Sequence, residues 1–330
     1  MTLAIVLGLP VGFLFGVVLQ RGRFCMYTAF RDLVISRDTA LFRAYLVAVA
    51  IQSVLIHLGA SLGWLEVWRV PFYWRAAIIG GLVFGLGMTL AGGCSSGTWY
   101  RVGEGMVGSF VALLGFGLST AATVWGALRP LRLAVRGAEI EIGGRVPTLA
   151  NLLRVNPWVI VVLGAAGVAV WAIRSPRHPA LFGWDWRKTG FWLGLLAAAA
   201  WYLSGLTGRY YGLSITGPTA TMTNFVISRE TAGLNWAVFM LLALPFGAYA
   251  AAKRAGEFAW RAPSPRRMVQ QFGGGVLMGF GAVTAGGCNI GHGLTGVSAL
   301  ALSSWVATLF TILGAWAGTY FFFLRKGRNA

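Results

Sequence analysis

The chain of 330 residues is 57% hydrophobic and 11% charged, with a mean hydropathy of +0.70, whereas a soluble globular protein carries about a quarter charged residues. That balance excludes a soluble domain and leaves an integral membrane protein with lipid as its solvent. Its 27 Lys and Arg against 9 Asp and Glu fall mainly between apolar stretches, so the excess reads as membrane topology rather than nucleic-acid binding, with attraction of an anionic solute as a second role.

A helix needs about 20 apolar residues to cross the hydrocarbon. The first such stretch, Thr2–Gln20, lacks a basic leader and a small-residue cleavage signal and runs straight into Arg21 and Arg23, so it is expected to be a span and not a removed signal peptide. Gln20–Asp38, which carries Cys25, interrupts the apolar pattern before Ala44–Leu65, where His57 stands alone and reads as structural. Ala76–Tyr100 contains Ala91-Gly92-Gly93-Cys94-Ser95-Ser96-Gly97, and Gly105–Leu128 follows. The basic linker Arg129–Asn156 carries Glu139-Ile140-Glu141-Ile142-Gly143-Gly144, which predicts a short surface hairpin.

Val155–Ile173 and Thr189–Gly208 are the next spans. Then comes Arg209–Glu230, crowded with Ser214, Thr216, Thr219, Thr221, Thr223, Asn224 and Ser228 and broken by Gly217-Pro218. So polar a stretch cannot face lipid, so it is either a broken or re-entrant helix lining a cavity or an ordinary surface loop. Thr231–Ala252 leads through the basic loop Lys253–Met268 into the uncharged run Met268–Leu324, long enough for two spans. That run holds Ala285-Gly286-Gly287-Cys288-Asn289-Ile290-Gly291-His292 and ends at Arg325, Lys326 and Arg328. The expected fold is all-α, with nine transmembrane helices plus broken or re-entrant ones.

The chain repeats itself. Val34–Thr39 recurs as Val226–Thr231, and Ala91–Cys94 recurs as Ala285–Cys288 with Gly80, Gly81, Gly85, Gly87 and Gly97 matched by Gly274, Gly275, Gly279, Gly281 and Gly291. Two matches in the same order, at offsets of 192 and 194, indicate a duplication. The expected divisions are a first repeat over 1–128, a linker and central span over 129–188, and a second repeat over 189–330. Five crossings between equivalent helices would invert one half relative to the other, as in transporters that bind solute at the repeat interface. If the Gly80 segment is re-entrant, the inversion argument falls and the duplication stands. Nine of the 27 basic residues lie on the side of the amino terminus, which puts that terminus outside and the carboxyl terminus in the cytoplasm.

Paired glycines end or closely pack helices and leave backbone N–H groups accessible to an anion. Packing through small residues is the alternative for Gly92, Gly93, Gly286 and Gly287, but it explains the polar residues after each cysteine less well. Three cysteines without a C-x-x-C pair exclude a disulfide scaffold and a self-contained zinc site. A membrane cysteine is commonly a small hydrophobe. Here Cys94 and Cys288 occupy equivalent positions and Cys25 lies in another interruption, so a weak donor or a nucleophile are the competing roles. Ser95, Asn289, His292, Thr219 and Asn224 are the supporting polar candidates. The carboxylates, Asp32, Asp38, Glu104, Asp185, Glu230 and Glu257 among them, lie in interruptions or near span ends, which argues against a carboxylate proton relay at the membrane centre. Arg37-Asp38 and Arg229-Glu230 are expected to pair as clasps.

Arg23-Phe24-Cys25-Met26 together with the two Gly-Gly-Cys motifs resembles the YeeE/YedE family of sulfur-transport membrane proteins over nearly the whole chain. The resemblance implies an hourglass of two inverted repeats that takes up thiosulfate, with Cys25, Cys94 and Cys288 passing the ion by transient S–H···S contacts. It implies a transporter of the bacterial or archaeal inner membrane, not an enzyme, with no cofactor, no metal and no nucleic-acid partner. A separately encoded TusA-like sulfurtransferase is an implied partner. A membrane thiol-redox or sulfur-relay enzyme using the same cysteines is the alternative, and a passive anion or water pore is a third.

Overall fold

The computed structural model describes residues 6–175, 183–231 and 233–324. The basic tail positions Arg325, Lys326 and Arg328 and the first residues of the Thr2–Gln20 stretch lie outside the described residues. In chain order the helices are α1 (Gly8–Arg21), α2 (Met26–Ile35), α3 (Ala40–Ser61), α4 (Trp74–Ala91), α5 (Ser95–Gly103), α6 (Val107–Val124) and α7 (Arg129–Arg136). They continue as α8 (Leu149–Leu153), α9 (Pro157–Arg174), α10 (Trp186–Gly205), α11 (Thr216–Ser228), α12 (Trp236–Arg254), α13 (Pro265–Ala285) and α14 (Leu302–Thr319). A π-helical turn, Ile290–Gly296, precedes α14 and another, Tyr320–Leu324, follows it. The two strands described are β1 (Phe72–Tyr73) and β2 (Glu139–Ile140).

Six stretches among the described residues are long and apolar enough to cross a membrane: Ala40–Ser61, Trp74–Gly103, Val107–Val124, Pro157–Arg174, Trp236–Arg254 and Leu302–Phe322. The protein is therefore a multi-pass, mostly helical membrane protein. Three other expected spans fall short of that standard for visible reasons. Described α1 has 14 residues, α10 opens on Arg187 and Lys188, and α13 begins with Arg266, Arg267, Gln270 and Gln271.

Side-chain caps start several helices where the sequence changes from polar to apolar. Asn156 Oδ1 accepts from Trp158 N–H at 2.9 Å with Pro157 as the first helical residue, Asp185 Oδ1 accepts from Lys188 N–H at 2.8 Å, and Asn235 Oδ1 accepts from Ala237 N–H at 3.0 Å. α4 and α13 end on Gly92 and Gly286, whose φ of 75° and 95° favour glycine.

The helices pack through glycine faces. A Cβ on Gly80 would lie 2.7 Å from Gly281 O, and one on Gly87 would lie 2.9 Å from Gly274 O, so α4 and α13 run antiparallel in close contact. Gly81 and Gly85 of α4 meet Ala307 and Thr311 of α14, whereas Gly275 and Gly279 of α13 meet Ala112 and Phe116 of α6. With no hydrophobic drive between helices in lipid, such contact area is what holds them. α9 is the exception: Val161 is its one buried residue, so most of its apolar surface lies open.

Two sets of loops collect at opposite ends of these helices. One joins 67–73, 139–149, 209–212 and 298–303 through Phe72↔Ile140 and Thr148↔Ala301 pairing and through Trp68 N–H to Tyr210 O. The other joins 21–23, 104–106, 183–184 and 257–261 through Met106↔Arg261 pairing and through Trp184 N–H to Arg21 O. The hairpin expected around Glu139–Gly144 closes only at Ile142↔Arg145. Its strand pairs instead with Phe72–Tyr73, where Tyr73 donates to Glu139 and its ring carries Arg136.

The clasps expected at Arg37-Asp38 and Arg229-Glu230 are not formed. Asp38 Oδ1 accepts from Ala40 N–H at 2.8 Å, and Asn224 Nδ2 donates to Glu230 Oε2 at 3.1 Å. Arg37 and Arg229 serve the backbone: both hold the left-handed conformation, φ 55° and 58°, just past the ends of α2 and α11.

Candidate functional site

α4 stops at Ala91 because Gly92 turns the chain, and α5 restarts after Cys94. Cys94 is the N-cap of α5, its sulfur accepting Gly97 N–H at 3.3 Å. Cys25 is in turn the cap residue of α2, following Arg23 at φ 49°. The two breaks meet. Cys25 Sγ lies 3.6 Å from Cys94 Sγ and accepts Cys94 N–H at 3.5 Å, and Ser96 Oγ is 3.4 Å from the Cys94 sulfur. Both thiols are free and fully buried.

The paired glycines do not expose their N–H groups as the sequence suggests. Gly92 and Gly93 N–H both donate to Met88 O, at 2.9 and 3.1 Å, and Gly286 and Gly287 N–H both donate to Ala282 O, at 3.1 and 2.8 Å. Each pair closes its own helix. The donors left for a ligand belong to the first turn of α5, where Ser95 and Ser96 N–H have no intrahelical acceptor, and to Ser95 Oγ, which is buried without a partner.

Cys288 stands apart from the other two thiols. It borders a cavity of about 280 Å³ with Arg132, Tyr211, Ser214, Thr216, Gly286 and Gly287. Neither Cys25 nor Cys94 lines that cavity. Thr216 Oγ1, which lines the cavity, is buried without a partner, and so is Oδ1 of Asn289, the residue after Cys288, which does not line it. Ser95 and Asn289 follow the two motif cysteines at repeat-equivalent positions, so each break carries one unsatisfied polar oxygen next to its thiol. The protein itself supplies no hydrogen-bond partner to either atom, as it supplies none to several other buried polar atoms.

The remaining candidates brace this arrangement. His292 Nε2 donates to Ala285 O at 2.9 Å, which leaves Nδ1 of the neutral ring to accept from Ser304 Oγ at 2.8 Å. Both nitrogens are committed, so His292 props the Cys288 loop. Thr219 Oγ1 accepts from Trp99 Nε1 at 3.2 Å, joining α11 to α5. Asn224, in the last turns of α11, bonds Glu230 and is not among the cavity residues.

Several contributors carry no sequence signal. Arg209 donates to the carbonyls of Tyr211 and Gly212 and to Ser214 Oγ at 2.7 Å, and Tyr211 OH donates to Gly291 O at 2.7 Å. These bonds fix the 209–214 part of the cavity wall and tie it to the turn after Cys288. Arg101 donates to Gly92 O at 2.7 Å. At the far loop set, Arg23 bridges Glu104 and Glu257, 2.8 Å to each, while Gln20 Nε2 donates to both carboxylates at 3.2 and 2.6 Å. Burial pushes the Glu104 carboxyl up, opposed by Arg23 and Gln20. This clasp ties the residue two before Cys25 to the residue that ends α5.

Among described residues, no cluster of His, Cys, Asp or Glu could hold a metal ion. The family model described as "Sulphur transport" matches residues 21–317. The chain is 41% identical to the thiosulfate transporter TsuA of Spirochaeta thermophila over 328 residues, covering 96% of this chain and 99% of that protein. It is 37% identical to the TsuA of Escherichia coli over 337 residues, covering 98% and 96%. A probable transporter YedE of E. coli is 36% identical over 121 residues, 35% of this chain and 29% of that one.

Proposed function

The chain belongs to the sulphur transport family, and from that premise we propose that it is a thiosulfate transporter of the inner membrane in which Cys288, Cys25 and Cys94 hand the ion across. The observation that carries the reading is the distribution of the thiols: one borders a cavity beside Arg132, and two lie 3.6 Å apart in the closed interior. Thiosulfate is a dianion with a soft terminal sulfur. Weak S–H donors replace its water without holding it too tightly to leave, as conduction requires. The thiols are protonated in this scheme, since a thiolate would repel the ion. Gly92, Gly93, Gly286 and Gly287 shape the two breaks, and Ser95 and Asn289 add donors beside the thiols.

The architecture proposed with this function is nine crossings in two inverted repeats, 1–128 and 189–330, with 129–188 as linker and central span. Reciprocal packing supports it. Gly80 meets Gly281 as Gly87 meets Gly274, and the α4–α14 contact at Gly81 and Gly85 is mirrored by the α13–α6 contact at Gly275 and Gly279. The left-handed residues recur too, Arg37 with Arg229 and Gly92 with Gly286. The Cys288 cavity then opens outward with the amino terminus, and the loop set around Arg23, Glu104 and Glu257 faces the cytoplasm, where more of the basic residues lie. A TusA-like sulfurtransferase would dock on that face, at 253–268.

Purified protein in liposomes is expected to take up labelled thiosulfate, with competition by sulfite or selenium oxyanions weaker and by sulfate weakest. Sulfate uptake as fast as thiosulfate uptake would overturn the substrate assignment. Arg132→Gln is expected to raise the half-saturating thiosulfate concentration about threefold to tenfold with little change in maximal rate, because removing one rim charge weakens capture by about 1 kcal/mol. A native concentration dependence in that variant would remove Arg132 from the entry.

A further inference from the structure

Two methionine side chains link the Cys25 and Cys94 breaks to the segment after Cys288, and the geometry points to these as the gate of the path. Met26 and Met88 are both fully buried. Met26 follows Cys25 directly, and its Cε packs against Gly293 in the π-helical turn after Cys288, where an added Cβ would stand 2.7 Å away. Met88 carries the Cys94 break, since its carbonyl takes the Gly92 and Gly93 N–H groups, and its Sδ accepts from Asn289 Nδ2 at 3.4 Å. Met26 is thus next in the chain to one inner thiol, Met88 supports the helix break before the other, and each touches the segment that follows Cys288.

A closed transporter needs a dry barrier that a selected ion can move. Methionine suits that place: it is unbranched, has three rotatable side-chain bonds and packs into irregular space, so it fills a gap without being locked there. The Asn289 N–H···S bond is weak, and the amide oxygen of the same residue has no partner. An anion arriving at Cys288 competes for the Asn289 N–H, a better bond for a charged acceptor than for a thioether. Met88 is released when that donor turns to the ion. Met26, one bond sequence away from Cys25, yields as the ion reaches the thiol pair. The methionines hold the barrier shut and the thiols and amide carry the ion.

This inference rests on the thiosulfate reading for its direction, but its test does not. Liposomes containing native protein, Met88→Ala or Met88→Leu are loaded with an anion-sensitive dye, and sulfate and thiosulfate entry are measured separately. Met88→Ala empties part of the barrier and is expected to admit sulfate about tenfold faster than native protein, a barrier lowered by about 1.4 kcal/mol. Met88→Leu keeps the volume but is branched and cannot accept the Asn289 N–H, and it is expected to stay tight to sulfate while thiosulfate entry slows about tenfold. Sulfate entry at the native rate through folded Met88→Ala, or native thiosulfate entry through Met88→Leu, overturns the gate. If native protein carries no thiosulfate but Met88→Ala still leaks sulfate, the gate stands and the substrate assignment falls.

Discussion

Replacing Cys94 with alanine is expected to reduce thiosulfate uptake to background, a loss of about a hundredfold, while folded protein remains in the membrane. The thiol is fully buried, so an ion at that point has no water to take its place. Removing one donor to a charged group in such a site costs about 1.5–3 kcal/mol, which corresponds to roughly ten- to a hundredfold in rate. The stability cost is smaller. Cys94 also caps α5 through Gly97 N–H, and loss of a cap costs about 1 kcal/mol. Cys94→Ser keeps a capping acceptor, so it separates the two roles: normal thermal stability with uptake still depressed is expected. Cys288→Ala loses the thiol at the cavity but no cap, and is expected to lose uptake with native stability. Full uptake by both alanine variants would sink the thiol relay.

Gly97→Ala is expected to be nearly as damaging to uptake, for a different reason. A Cβ at this position would stand 2.8 Å from Cys25 Sγ and 3.3 Å from Cys94 Sγ. The Cys25 side chain must rotate away, so the two sulfurs no longer face one another at 3.6 Å. Alanine is otherwise the better helix former by about 1 kcal/mol, which offsets the crowding in α5. The expected result is a protein of near-native thermal stability with uptake reduced at least about tenfold. Adding Cys25→Ala to Gly97→Ala should relieve the crowding and raise stability without restoring transport. Native uptake by Gly97→Ala would show that the two thiols need not be adjacent.

Much of this site is legible along the chain, because lipid allows few solutions. Polar stretches such as Arg209–Glu230 cannot face hydrocarbon, and α11 does begin at Thr216 with Gly217-Pro218 in its first turn. The Gly-Gly pairs do end helices, at φ 75° and 95°. What the glycines do with their N–H groups was not legible: both are spent on the carbonyl four or five residues back. Nor could spacing place Cys25 beside Cys94 and leave Cys288 at a cavity, since residues 69 apart meet only because the fold brings the starts of α2 and α5 together. Arg132 reads as one of several linker arginines until α7 brings it to the cavity. Met26 and Met88 resemble ordinary apolar filling, and only their contacts with Gly293 and Asn289 set them apart. Asn224 has a partner that its sequence context does not announce. In the last turns of α11 its amide donates to Glu230.

Three thiols distributed over two repeats cannot be matched in pairs. Counted along the repeat, the position of Cys25 is taken in the second half by Gly217, which lines the Cys288 cavity. In the proposed relay an ion entering from that cavity meets a single thiol before the doublet, whereas one entering from the other end meets the doublet first. The half-saturating concentrations for influx and efflux should therefore differ. Detailed balance ties the ratio of the two maximal rates to the ratio of those concentrations, so this rectification changes how fast each direction runs and leaves the final accumulation to the driving gradient alone.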